Sequence, residues 1–197
     1  MVKNGGLHTT CLRKKFLIKA MSTVVIINFV LYEIAWFASV IGAANNMPWL
    51  GVQVIIAVLS WHFIQAKKAN LEVTLLIIAL VIGGLFDQIL LSTGLVSYES
   101  HGWSSHLVPA WILTVWAGFV TLLNISLRWM RGRLLLSIFF GAIGGPLAYA
   151  AAAGLGAVRL NDDLLSYLTL SFGWAILTPL LLKLAEKFDG YKVAKYV

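Results

Sequence analysis

Charged side chains are scarce in this sequence, and so is cysteine. Only 12% of the 197 residues are Asp, Glu, Lys or Arg, whereas 60% are hydrophobic. Soluble proteins carry about twice that share of charge, so the composition excludes a soluble globular domain and indicates a polytopic membrane protein. The single cysteine, Cys11, excludes an internal disulfide and a metal site built from several cysteines.

Sequence motifs of common enzymes are also missing. No pair of histidines at metal-binding spacing, nucleophile elbow or phosphate loop stands on a suitable element. His62 is expected near the inner membrane face and His101 and His106 in an outer loop, so they cannot share an ion. The pair Gly144-Gly145 lies inside a predicted span and not after a strand, which excludes a dinucleotide fingerprint. We therefore predict no metal site and no cofactor.

The formal net charge of +7 does not indicate a nucleic-acid partner. The basic residues fall at the ends of apolar segments and form no patch interleaved with exposed aromatic side chains. This distribution is instead typical of a membrane protein, whose predicted partners are the lipid bilayer, a lipid or other hydrophobic ligand, and a second membrane protein.

Apolar stretches separated by polar turns predict six membrane spans. They lie at 21–43, 49–65, 71–95, within 109–133, 134–158 and 164–184. The predicted organisation is a basic leader at 1–20, a transmembrane domain at 21–184 and a cytoplasmic tail at 185–197. Met21 is an alternative start to Met1, which would make the leader an extension.

The basic residues also predict the orientation of these spans. If the N-terminus is cytoplasmic, fourteen of the fifteen Lys and Arg residues lie on the inner side, and only Arg159 lies outside. We therefore predict an all-α membrane fold, a compact bundle of six transmembrane helices with both termini in the cytoplasm.

The fourth predicted span carries a narrow stripe of small and polar residues on an otherwise apolar helix. The stripe consists of Thr114, Ala117, Thr121, Asn124 and Arg128. The first span repeats it with Asn28, Tyr32, Ala35, Ser39 and Gly42. Because small residues let helices approach and an amide in hydrocarbon needs a partner, we predict that Asn28 and Asn124 lie within hydrogen-bonding reach.

Depth, counted at about 1.5 Å per helical residue, predicts two polar layers. Glu33, Asp87 and Tyr149 fall near the midplane, while Asn28, His62 and Asn124 lie nearer the cytoplasm, beside Arg128. Intramembrane acids commonly mark pathways, so the midplane layer indicates a proton-linked or substrate-binding site. The alternative is that Glu33 and Asp87 are protonated or hydrogen-bonded clamps between helices. For the inner layer we favour structural contacts between helices.

Asp87 and Tyr149 are predicted to face each other across the third and fifth spans. Glycines at 83 and 84 and at 141, 144 and 145 would allow close approach of the two helices. We expect Asp87 to be at least partly protonated at neutral pH, because the only outer cation, Arg159, lies too near the surface. In the fifth span, Pro146 is expected to free the carbonyl of Ala142 and expose it to the bundle interior.

Three tryptophans, Trp36, Trp116 and Trp174, lie deeper than the others, which are placed at span ends. We predict that they wall a pocket for an apolar ligand, although packing alone is the alternative explanation.

Several motifs together resemble a bacterial inner-membrane family catalogued only as a domain of unknown function, number twenty-eight seventy-eight in that series. They are Asn28 with Trp36, Trp49-Leu50-Gly51, Gly84 with Asp87, Pro109-x-Trp111, the run from Thr121 to Trp129, and Gly144-Gly-Pro-Leu-Ala-Tyr149. The resemblance covers 22–184, although Glu33 stands where an amide is expected. It implies a compact protein of the bacterial inner membrane without assigned activity, whose relatives are often encoded beside fatty-acid or lipid-modifying enzymes.

Three functions follow as expectations. The first is a membrane protein that binds or handles a lipid or other hydrophobic molecule between helices, as a partner of a lipid-modifying enzyme. The second is a small proton-coupled transporter that uses the midplane acids, although no repeat relates the two halves of the chain. The third is a membrane-embedded enzyme, for which the sequence offers no nucleophile or metal.

Overall fold

Six α-helices make up most of the described structure, a computed structural model that covers residues 5–191, with side chains from residue 23 onward. The helices are α1 Gly5–Ala44, α2 Leu50–Gln65, α3 Ala69–Ser92, α4 Ala110–Leu123, α5 Leu134–Gly154 and α6 Asp163–Lys187. Two short strands, β1 Val96–Tyr98 and β2 Val158–Leu160, and a 3₁₀ turn at Arg128–Met130 complete it. The side chains of the predicted basic leader, Cys11, Lys192 and Lys195 lie outside the described part.

In the described part of the chain, four helices have the length and hydropathy to cross a membrane. They are Thr23–Ala44 within α1, Ala69–Ser92, Leu134–Gly154 and Asp163–Lys187, while α2 and α4 are shorter apolar helices. Large apolar side chains on these helices face outward, including Ile77, Leu147 and Phe172 at 58%, 62% and 72% exposure. A soluble surface seldom carries so much contiguous apolar area, so the fold is that of a helical membrane protein.

Helix α4 lies at the centre of the bundle. All of its residues are buried except Leu113 and Val115, and it packs against α1, α2, α3 and α6. The fourth predicted span, within 109–133, is too long, since α4 ends at Leu123, but its stripe of small and polar residues does face α1, where Ser39 and Thr114 share a hydrogen bond of 2.8 Å. An apolar pattern on every face suits a helix enclosed by others as well as one facing lipid, and α4 ends at Leu123 because the following polar side chains bond to other segments.

A two-stranded antiparallel sheet joins the ends of α3 and α5, with Val96 opposite Leu160 and Tyr98 opposite Val158. The third and fifth predicted spans are accordingly too long, since α3 ends at Ser92 and α5 at Gly154. Gly94 and Gly156 adopt positive φ values of 71° and 84°, which are easily reached only by glycine and turn the chain out of each helix. The all-α prediction therefore holds for the bundle but misses this sheet.

The connections between helices gather at two opposite ends of the bundle. One, here called the strand end, contains the sheet and the turn after α1, which Ser100 joins by donating to Asn46 Oδ1 at 2.9 Å. The other, here called the basic end, contains the turns after α2 and α4 and the segment after α6. There the backbone N–H of Lys67 donates to the Gly190 carbonyl at 2.9 Å.

Two stacked tryptophans fill the space between α3 and α5. The rings of Trp116 and Trp174 lie 4.8 Å apart and 3° from parallel. Gly83 on α3 faces the Trp116 ring and Gly145 on α5 faces the Trp174 ring, so closely that a Cβ atom at either glycine would collide with an indole. The predicted direct approach of α3 and α5 through their glycines is therefore wrong, because these glycines make room for indoles instead.

The carbonyl of Ala142, which was expected to lose its backbone partner at Pro146, bonds to a side chain of another helix. Ser171 Oγ on α6 donates to the Ala142 carbonyl at 2.9 Å. The hydroxyl replaces the backbone hydrogen bond that the proline ring removes, and this bond ties α5 to α6.

Candidate functional site

Asp87 is fully buried and accepts hydrogen bonds from three aromatic side chains. Tyr149 donates to Oδ1, Tyr98 donates to the same oxygen at 2.6 Å, and Trp116 Nε1 donates to Oδ2 at 2.5 Å. The contact predicted between Asp87 and Tyr149 is therefore present. Sequence reasoning missed both Tyr98, which lies between two predicted spans, and the bond from Trp116, which was predicted only as a pocket wall.

Four segments meet at this carboxyl group. Asp87 stands on α3, Tyr98 on β1, Trp116 on α4 and Tyr149 on α5. Strand β1 brings Tyr98 back toward the bundle, which explains how a residue from a connection reaches an intramembrane acid. The indole nitrogen can only donate, so Oδ2 acts as an acceptor, whereas protonation of Asp87 stays a prediction.

Glu33 does not join this cluster. It is only partly buried and lines a different cavity with Tyr32 and Phe29, and its carboxylate forms no hydrogen bond with any described side chain. A shared midplane site of Glu33, Asp87 and Tyr149 is therefore wrong for Glu33, while the common depth of the three residues stays a prediction. Counting residues along a helix gives depth but not rotation about the axis, and Glu33 points toward the gap between α1 and α5.

That gap, here called the lateral groove, is a cavity of about 180 Å³. Its walls come from α1, α4, α5 and α6, with Glu33, Phe119, Gly144 and Trp174 among the lining residues. Phe29 and Phe140 line it from α1 and α5 and are 50% and 42% exposed on the apolar surface. The groove therefore reaches the surface that faces lipid.

A smaller cavity of about 50 Å³ adjoins the lateral groove and extends toward Asp87. The three deep tryptophans line it together with Asp87 and Tyr149; they are Trp36, Trp116 and Trp174. Tyr32, Phe119, Ala148 and Trp174 line both cavities. The structure thus places the predicted pocket wall between the lipid-facing groove and the buried acid.

Two buried polar atoms of residues that line the lateral groove lack a hydrogen-bond partner among the described residues. They are Trp174 Nε1 and Thr178 Oγ1. An unpaired buried donor costs about 1–3 kcal/mol relative to a bonded one. With Glu33 on another wall, three residues that line this otherwise apolar groove carry polar atoms without a hydrogen-bond partner among the described residues.

A second polar network, at the basic end, centres on Glu72, which is fully buried. Its carboxylate accepts from His62 Nε2 at 2.9 Å, from Asn124 Nδ2 at 2.6 Å and from the Gly190 backbone N–H at 2.6 Å. Sequence reasoning predicted His62 and Asn124 for this layer and missed Glu72. Its place beside Lys67 and Lys68 is typical of an exposed first turn, so no local signal indicated burial.

Arg128 and Arg131 extend this network to Asp189. Arg128 donates to one carboxylate oxygen at 2.6 Å and Arg131 to the other at 2.8 Å, and Arg131 also donates to Asn124 Oδ1. Asp189 and Gly190 belong to the predicted cytoplasmic tail, yet both are buried against the bundle.

Tyr191 contacts His62 at the edge of this network. Its hydroxyl lies 3.1 Å from His62 Nδ1 and donates to the His62 carbonyl. Burial, and secondarily the nearby charge of Glu72, raise the pKa of Tyr191 well above its usual range. The phenol therefore remains a donor throughout the physiological range.

Asn28 and Asn124 form no hydrogen bond with each other among the described residues. Asn28 Nδ2 donates to the Thr121 carbonyl at 3.2 Å, and Ser126 donates to Asn28 Oδ1 at 2.6 Å, whereas Asn124 turns toward Glu72. The two stripes do meet along α1 and α4. The pairing is offset by about a turn, so that Thr121 takes the place predicted for Asn124.

The chain matches a protein family. A family described as "Protein of unknown function (DUF2878)" matches residues 25–180, which span the bundle from α1 into α6 and include both cavities. No curated protein matches the chain, and no solved structure matches it.

Proposed function

We propose that this chain, which belongs to the DUF2878 family, is a protein of the bacterial inner membrane that binds a hydrophobic molecule carrying one hydrogen-bonding group. The lateral groove carries the proposal. Its lining is mostly aromatic and aliphatic, and it adjoins the cavity beside Asp87. Ligand sites are commonly concave, mostly apolar and provided with a few polar groups.

The polar atoms of the groove define the class of ligand. Glu33 lies near the middle of the helix Thr23–Ala44, about 15 Å from either end at 1.5 Å per residue. Water is scarce at that depth, so the unpaired atoms of Trp174 and Thr178 and the Glu33 carboxylate are best satisfied by a ligand group that both donates and accepts. A hydroxyl group on a long apolar chain has this property.

Gly144 provides a test, because a Cβ atom added there meets no protein atom closer than Phe140 at 4.0 Å, and Gly144 lines the groove. We expect Gly144→Leu to fold normally and to lose most of the bound hydrophobic molecule. The matched control is Gly154→Leu, also on α5, where an added Cβ atom meets nothing within 4 Å and the residue does not line the groove.

Both variants and the unaltered protein would be purified in mild detergent and then compared in two ways. One is the amount of extractable hydrophobic compound per protein by mass spectrometry. The other is labelling of α1 and α5 by a photoactivatable long-chain alcohol. Equal labelling in all three proteins contradicts a ligand site in the groove.

We also propose six membrane passes with both termini in the cytoplasm. The alternation of the six helices between the two ends supports this count, although α2 and α4 are short. Arg159 is the only described Lys or Arg at the strand end, where it pairs with Glu99 at 3.1 Å. The other described basic residues belong to the basic end or to its side of the helices, as expected for a cytoplasmic face.

Reporter fusions test the orientation. Fusions after residues 68 and 133 are expected to report cytoplasm, and those at residues 47, 103 and 162 the opposite side. A phosphatase active only outside and a fluorescent protein active only inside provide complementary signals at each site. An external reading at 68 or 133 contradicts the proposed orientation.

Proton-coupled transport is the alternative proposal, and it depends on Asp87. The observation in its favour is that the buried carboxyl group lines a cavity that shares lining residues with the lateral groove. Asp87→Asn removes the titratable proton, so proton uptake by reconstituted vesicles that survives this change excludes Asp87 as the coupling site.

Partnership with a lipid-modifying enzyme likewise remains a proposal, to be tested by crosslinking in native membranes.

A further inference from the structure

A separate cavity of about 260 Å³ lies at the basic end, between the start of α5 and the last turns of α6. Its lining includes Arg131, Arg133, Lys183 and Glu186. It shares no lining residue with the lateral groove. The cavity is therefore a different site. What it binds does not depend on whether the lateral groove binds a ligand.

The cavity carries an excess of positive charge. Three cations and a single acid line it. Arg133 and Lys183 are exposed, and among the described residues neither forms an ion pair, nor does Glu186. Their charges are thus available to an anion.

Arg131 contributes a buried donor at the inner wall. Its terminal nitrogens are occupied by Asp189, at 2.8 Å, and by Asn124, and its side chain is only 13% exposed. Nε, however, is buried and has no partner among the described residues. An anionic oxygen in the cavity would satisfy this donor with a charge-assisted hydrogen bond.

Apolar side chains beside the cavity provide a surface for acyl chains. Leu134 and Leu135 at the start of α5 are 64% and 69% exposed, and Leu180 on α6 is 41% exposed. A basic cavity with an apolar surround, at the end of a helix pair, has the arrangement of a phospholipid headgroup site. A soluble anion would gain nothing from contact with these leucines, whereas acyl chains would.

We propose that this cavity binds the phosphate group of an anionic phospholipid from the leaflet at the basic end. Arg133 and Lys183 supply charge, and Arg131 supplies a hydrogen bond through Nε. The acyl chains lie along the exposed leucines of α5 and α6. The chemistry recognised is a phosphate monoanion, which a free phosphate compound also offers, so the test separates the two sources.

The test compares two double variants of the full chain that remove equal charge. Arg133→Gln with Lys183→Gln alters the cavity, while Lys67→Gln with Lys68→Gln alters exposed residues at the same end that do not line it. Each protein would be placed in nanodiscs of phosphatidylcholine with increasing phosphatidylglycerol of the same chains, and bound lipid counted by native mass spectrometry.

We expect phosphatidylglycerol to bind the unaltered protein and the Lys67/Lys68 variant equally. Binding to the Arg133/Lys183 variant should weaken roughly 10- to 30-fold, since each basic residue near an anionic surface contributes about a factor of five. Equal weakening in both variants would show a diffuse charge effect and overturn the proposal. So would unchanged binding in the Arg133/Lys183 variant.

A second arm titrates inorganic phosphate into the protein in zwitterionic nanodiscs and measures thermal unfolding. No stabilisation up to millimolar phosphate, together with selective phosphatidylglycerol binding, supports the lipid as the ligand. Stabilisation by phosphate that the Arg133/Lys183 variant loses, without lipid selectivity, overturns the lipid assignment and assigns the cavity to a free phosphate compound. The unfolding midpoints without ligand also verify that both variants are folded.

Discussion

Replacing Asp87 by leucine is expected to destabilise the bundle strongly, by at least about 3 kcal/mol. The substitution removes the acceptor for Tyr98, Trp116 and Tyr149 at once. Each buried donor left without a partner costs about 1–3 kcal/mol, and the apolar surroundings offer no replacement. The measurement is the free energy of unfolding in mixed micelles of mild detergent and dodecyl sulfate.

The matched variant is Asp87→Asn, for which we expect a much smaller loss. An amide oxygen accepts from Trp116, while the amide nitrogen donates to the tyrosine hydroxyls, which can act as acceptors. The shape of the side chain is kept, so the comparison isolates hydrogen bonding from packing. Equal stability of Asp87→Leu and the unaltered protein would show that the three bonds contribute nothing.

The sequence predicts the helices of this fold well, because apolar runs of membrane length are the strongest pattern it contains. It predicts the sheet poorly, since three residues per strand give too short an alternation to detect. The extent of α4 was also missed. The sequence pattern of an apolar helix is the same whether lipid or protein surrounds it. The polar side chains that follow Leu123 bond to segments distant in sequence, which no local pattern reveals.

Depth, counted along the helices, predicted only part of the candidate site. Asp87 and Tyr149 were paired by counting residues from helix ends, and their contact exists. Of the glycines offered as its cause, however, Gly83 and Gly145 face the rings of Trp116 and Trp174. Glu33 was counted to a similar depth, but it lines a different cavity. Tyr98 reaches Asp87 only because β1 pairs with β2, which is information held by the tertiary fold.

Glu72 was missed for a related reason, and its substitution carries the second large expected effect. Leucine at this position would leave His62 and the Gly190 N–H without their acceptor and remove one of two bonds from Asn124. It would also remove a buried negative charge from a cluster rich in arginine. We expect a loss of at least about 3 kcal/mol in the free energy of unfolding.

The substitution should also release the chain after α6. Residues 188–191 are held by the bond from Gly190 to Glu72 and by the bonds from Lys67 and Lys68 to the Gly190 carbonyl. Without the carboxylate, the backbone after Lys187 is expected to open, so that trypsin cuts there faster. The cleavage rate, followed by mass spectrometry of the remaining chain, measures this opening separately from global unfolding.

Two controls decide whether the carboxylate itself is responsible. Glu72→Gln keeps an oxygen that accepts from Asn124 and Gly190. Its amide nitrogen can donate to His62 Nε2 when the ring proton is on Nδ1, the nitrogen that faces Tyr191. We therefore expect near-normal stability and a normal cleavage rate. Glu186→Gln, an exposed change on α6, should affect neither. If Glu72→Leu leaves cleavage after Lys187 unchanged, the carboxylate does not hold the tail. Its other contacts then suffice, chiefly the ion pairs of Asp189 with Arg128 and Arg131.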